Sequence, residues 1–72
     1  MSDTTYRLLS APMIHTPGLL AWAMNAYHFP EDRGRILHIM TETFPTVPND
    51  KMNDLLLGNI PYQIEGDVVV FS

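Results

Sequence analysis

The feature that most constrains this chain is a glycine-punctuated ending, residues 47–72, VPNDKMNDLLLGNIPYQIEGDVVVFS. Pro48 suits a first helical position, where its missing N–H costs little, and Asn49 and Asp50 place polar or acidic groups at the positive end of the helix dipole. Met52, Leu55 and Leu56 recur at helical spacing and with Pro48 make one apolar face, with Asp50, Asn53 and Asp54 opposite. Leu57 falls on the polar side, so the next element must cover it or leave it exposed. Gly58 and Asn59 stop the helix, and Pro61 prevents it from resuming.

Past that stop, Tyr62, Ile64, Val69 and Phe71 share one face of a β-hairpin if Gly66 and Asp67 form a two-residue turn. That register pairs Ile64 with Val69 and Tyr62 with Phe71, and turns Gln63 and Glu65 to water. A longer turn centred on Glu65 and Gly66 would shift the register and expose other valines. An isolated hairpin is marginal, so the helix and hairpin are expected to bury each other's apolar faces as one folding unit over 47–71.

Earlier in the chain, residues 5–9, TYRLL, read as a short strand with Tyr6 and Leu8 inward, in preference to a turn of helix begun at Asp3, and residues 1–4 as a frayed end. Pro12 and Pro17 bracket a connector over 11–16. A helix is expected over 17–27, with Thr16 capping it and Pro17 in its first turn. Leu19, Leu20, Ala23, Met24 and Tyr27 form a wide apolar arc, Trp22 and Ala26 flank it, and Asn25 is the only clearly polar interior position. A helix apolar almost all round is either sandwiched in a core or offering a face to a partner. His28, Phe29 and Pro30 make the turn to a third amphipathic segment over 31–43. There Glu31, Arg35, His38 and Glu42 form one charged stripe opposite Ile36, Leu37, Ile39, Met40 and Phe44.

The fold class that follows is α+β: three short helices packed on a small antiparallel sheet with a C-terminal β-hairpin, in a single domain over 1–72. At 72 residues a core is near the lower limit of self-sufficiency. The absence of cysteine rules out disulfide staples, thiolate catalysis and cysteine-ligated zinc. Residues 1–8 lack the basic start and apolar core of a signal peptide, and the longest apolar run, 19–24, is too short to span a bilayer. The expected location is cytoplasmic.

No residue pattern points to catalysis or to a cofactor. His15, His28 and His38 fall on a connector, a turn and a helix surface, with no two at the spacing that places metal ligands on one helical face. Ser2, Ser10 and Ser72 have no nucleophile-elbow context, and Glu31, Asp32 and Glu42 read as helix-start and helix-surface charges. So small a chain can scarcely enclose a catalytic pocket. The expectation is therefore a protein that is not an enzyme, with neither cofactor nor metal.

The segment from Arg33 to Gly58, two helices joined by a short connector, outlines a helix-turn-helix, the sharpest nucleic-acid reading. Its second helix would present Asn49, Asp50, Lys51, Asn53 and Asp54, one cation against two anions. The whole chain has eight acidic and four basic residues, a net charge of −4, the reverse of a phosphate-binding balance. Nucleic acid is not the expected partner. With only 17% charged residues to cover a small body, an exposed apolar patch is expected, and such patches tend to be interfaces. Trp22, Met24 and Tyr27 are the candidate anchors, and Arg33 and Arg35 the candidate polar rim.

In size, acidity, lack of cysteine and its helix, glycine stop and hairpin ending, the chain resembles the small early proteins that tailed phages make to redirect host machinery. Those that act on bacterial RNA polymerase are among them. The resemblance is one of layout, and it carries over no functional residue. It implies a larger bacterial protein assembly as partner, transcription machinery above all, and a regulator or inhibitor as function. The alternatives are a small helix-turn-helix-like DNA-binding regulator, and an obligate homo-oligomer in which a second copy buries the helix over 17–27.

Overall fold

A computed structural model of the chain describes residues 5–9 and 15–72. The element order is β1 (Tyr6–Leu8), α1 (Thr16–Ala26), α2 (Pro30–Thr43), α3 (Asn49–Leu57), β2 (Tyr62–Glu65) and β3 (Val68–Phe71). The fold is α+β, three helices over a three-stranded antiparallel sheet whose strand order is β1-β3-β2. The readings for residues 1–4, and for most of the connector over 11–16, lie outside the described residues.

Prolines mark all three helix starts, in a register slightly different from that expected. α1 begins at Thr16, so Thr16 is the first helical residue rather than the cap, and the cap is His15 in an extended conformation. Pro30, expected in the turn, is the first residue of α2 behind Phe29, with Glu31 and Asp32 in the first turn. Pro48 stands one step outside α3 as its cap. Its φ of −61° is the value the ring imposes, and its ψ of 153° is extended rather than helical. The Pro48 carbonyl still accepts the first helical bond, from the Met52 N–H at 2.9 Å.

α3 ends as its glycine requires. Gly58 has φ +79°, the left-handed region that a Cβ disfavours. The Asn59 N–H donates to the Asp54 carbonyl at 2.9 Å and the Gly58 N–H to the Leu55 carbonyl at 3.1 Å, which is the Schellman pair. The hairpin takes the two-residue turn: Glu65 faces Val68, Ile64 faces Val69, Gln63 faces Val70 and Tyr62 faces Phe71. Gly66 has φ +65° and Asp67 does not have positive φ, the pattern of a type II′ turn, which suits the right-handed twist of the strands.

β1 closes the other side of β3, with Tyr6 opposite Phe71 and Leu8 opposite Val69. Three rows therefore cross the sheet. Tyr6, Phe71 and Tyr62 form one on the inner face, where the Tyr6 and Phe71 rings lie 5.4 Å apart between centroids. Leu8, Val69 and Ile64 form the second inner row, and Arg7, Val70 and Gln63 run across the outer face.

The helix over the sheet is α1. It packs on β3, α2 and α3 together, burying Leu20, Ala23 and the following Tyr27, while α3 packs mainly on α2 and α1. The expected unit of α3 and the hairpin is part of a larger shared core: Met52, Leu55 and Leu56 of α3 and Val69 and Phe71 of β3 belong to one buried cluster, to which α1 adds Leu20 and Ala23. The reason is composition, because α1 alone is apolar enough to bury one arc on the sheet and another against helices. One continuous core results, from Leu8, Val69 and Phe71 through Leu20, Ala23 and Tyr27 to Ile36, Met40, Met52, Leu55 and Leu56.

Candidate functional site

The outer face of α1 carries the strongest candidate. Thr16, Leu20 and Ala23 point inward, and Leu19, Met24 and Ala26 are half-buried. Gly18, Ala21, Trp22 and Asn25, at i, i+3, i+4 and i+7, share the opposite face and are exposed. This helix contains no charged side chain, so its solvent-facing side holds apolar groups and one amide. Trp22 is 44% exposed, and Phe29, in the turn after α1, is 56% exposed.

The five residues expected to share an interface do not play one role. Trp22 is presented to solvent, and Met24 lies half-buried against the core. Tyr27 is a core residue at 3% exposure, which removes it as a contact anchor. Its hydroxyl donates to Asn53 Oδ1 at 2.6 Å, tying the end of α1 to α3. Helical phase alone put Tyr27 on the same apolar arc as Leu20 and Ala23, and that arc faces inward.

The arginines are likewise engaged within the fold. Arg33 Nε donates to the Tyr27 carbonyl at 2.8 Å, and its guanidinium stands 5.7 Å from the centre of the Tyr27 ring. A cation there meets the negative end of α1 and the ring face at once. Arg35 reaches Asp32 at 3.2 Å one helical turn back, an exposed pair of small energetic weight. Burial holds the Tyr27 hydroxyl pKa above its usual value of 10, with the Arg33 charge acting in the opposite direction.

Phe29 was missed as a candidate because it reads as a turn residue, yet the tight passage from α1 to α2 leaves its ring outside the core. The exposed apolar side chains also include Leu57, Tyr62 and Ile64. Of the two outcomes open to Leu57 on the polar side of α3, covered by the next element or left exposed, the structure shows the second.

A shallow depression of about 290 Å³ lies on the sheet, bordered by Thr5, Pro61, Tyr62, Gln63, Val70 and Phe71. Its walls, to which Ser72 also contributes, bring hydroxyl, amide and apolar side chains, without a side-chain carboxylate or imidazole for proton transfer. Among the described residues no three histidine or carboxylate groups converge as a metal site. No helix among them is long and apolar enough to cross a membrane. The helix-turn-helix outline exists as α2 and α3, but α3 exposes Asn49 and Asp50, and Asn53 is held by Tyr27.

The fold and surface define a small two-layer α+β domain with an uncharged, tryptophan-bearing helix face. In comparisons with protein-family models, curated proteins and solved structures, nothing matches the chain.

Proposed function

We propose that this chain is a cytoplasmic, non-enzymatic protein-binding regulator that docks through the outer face of α1 on a larger bacterial assembly. Transcription machinery is the target class, and inhibition or modulation of the polymerase is the outcome. The observation that carries the docking surface is Trp22: a large aromatic, 44% exposed, on a helix face without any charge to solvate it. Buried aromatic anchors ringed by neutral contacts dominate the energetics of many interfaces. Phe29 extends the apolar surface. The choice of target rests on the resemblance in layout to phage proteins that act on bacterial RNA polymerase.

The test is binding of the purified chain to purified bacterial RNA polymerase, read by titration and by inhibition of promoter-directed transcription in vitro. Trp22→Ala, shown to be folded by circular dichroism, is expected to weaken binding by about 2 kcal/mol or more, roughly 30-fold. Retained affinity in that variant would move the interface off α1. Absence of binding by the wild-type chain would remove the polymerase as target.

A further inference from the structure

From the free edge of β2 we infer that the chain self-associates as a two-fold dimer, in which β2 pairs antiparallel with β2 of a second copy to make one continuous six-stranded sheet. β2 has β3 on one side and no strand on the other among the described residues. The two-residue turn makes Glu65 and Val68 a hydrogen-bonded pair, and alternation along an antiparallel ladder then makes Gln63 and Val70 the next one. The backbone N–H and C=O groups of Tyr62 and Ile64 consequently point away from β3, toward the open edge. Their side chains are the exposed apolar ones of this strand, at 38% and 55%.

A second copy fits this edge in one register. Opposed residues of an antiparallel pair must lie on the same face of the sheet, so a two-fold axis through Gln63 sets Tyr62 opposite Ile64 of the other copy, and Ile64 opposite its Tyr62. Both are hydrogen-bonded pairs, giving four backbone bonds for a four-residue strand. An axis through Ile64 would give only two, because the strand ends at the turn. The Gln63 register also joins the inner rows of the two sheets: Tyr6, Phe71 and Tyr62 run on into Ile64, Val69 and Leu8 of the second copy. Aromatic to β-branched neighbours are favourable cross-strand pairs.

On the outer face Gln63 meets Gln63, and Glu65 falls opposite Pro61, so no like charges are set against each other. Open edges are commonly guarded by lysine, proline or a bulge. Pro61 and Glu65 flank β2, but neither stands at Tyr62 or Ile64, whose backbone groups face the open edge, and the register of β2 is unbroken. The axis stands perpendicular to the sheet, which leaves both helical layers on one side and both Trp22 faces available to a partner. This inference is independent of the role proposed for Trp22.

The experiment combines sedimentation equilibrium with amide hydrogen exchange by NMR, from ~10 µM to ~1 mM, since so short a contact belongs to the small, weak class of interfaces. The expected mass rises from 8.2 kDa toward twice that value. For a dissociation constant on the order of 100 µM, exchange of the Tyr62 and Ile64 amides slows about fourfold across that range, while Gln63 and Glu65, already bonded to β3, do not respond. Ile64→Pro removes an N–H that β3 does not use, so it is expected to fold and remain monomeric. Ile64→Lys, an exposed change that leaves the ladder intact, is expected to do the same should the proline variant not fold. A wild-type chain that stays monomeric at 1 mM would overturn the inference. So would a dimer that survives Ile64→Lys, or one that protects amides outside β2.

Discussion

At the scale of single residues, Tyr27 shows how a side chain that composition marks as an interface anchor becomes a structural tie. Its ring is buried, its hydroxyl is bonded to Asn53, and its carbonyl is held by Arg33. Tyr27→Phe keeps the ring and its contact with Arg33 and deletes one hydrogen bond, an expected loss of about 0.5–1.5 kcal/mol measured by urea unfolding. The pH dependence has a definite sign. Burial raises the folded-state pKa, so the native state favours the neutral phenol. That contribution is complete below the unfolded value of 10 and is lost as pH rises through the folded one. The stability difference between wild type and Tyr27→Phe should therefore narrow above pH 10, and a constant gap up to pH 11.5 would contradict the burial of this hydroxyl.

Among the elements, two glycines with opposite expectations test the local backbone assignments. Gly34 lies in the interior of α2, exposed, with open space where a Cβ would be. Gly34→Ala should stabilise the protein by about 0.5–1 kcal/mol, because alanine loses less backbone freedom on entering a helix. Gly66, with φ +65°, also has open space around it, but an L side chain there is strained by the backbone itself. Gly66→Ala should cost about 1–2 kcal/mol. Thermal melts of the two variants should move in opposite directions, and an unchanged midpoint for Gly66→Ala would contradict the turn.

For the whole molecule, the single core makes stability indivisible. The radius of gyration is 11.6 Å, close to the roughly 11 Å expected of one compact domain of this length. Leu55 is fully buried where α3 meets the rest of the core. Leu55→Ala should cost about 2–5 kcal/mol, a large part of what so small a domain has in total. The sheet and helix signals in circular dichroism should be lost together in this variant. Separate transitions would mean that the sheet and the helical layer fold independently, against the single core they share.

Much of this architecture is legible without coordinates because it depends on neighbours in sequence. Gly58 and Gly66 punctuate the backbone wherever the chain goes, and the Met52, Leu55 and Leu56 spacing sets one helical face. Alternation from Tyr62 to Phe71 marks a hairpin, and the structure decides between its two open turn lengths and registers. The strand at Tyr6–Leu8 and the uncharged character of α1 follow in the same way as the helical face. What tertiary structure alone decided is which surfaces meet. The order β1-β3-β2 places β3 in the centre, and α1 packs against it. Helical phase shows that Trp22 and Tyr27 lie on different parts of α1, but only the positions of β3, α2 and α3 determine that Tyr27 is buried and Trp22 is left to solvent. Arg33 is committed to Tyr27 for the same reason, since the turn from α1 into α2 brings a cation to a helix end that no periodicity reveals. Local spacing determines faces, whereas occupancy of a face is a property of packing among distant segments.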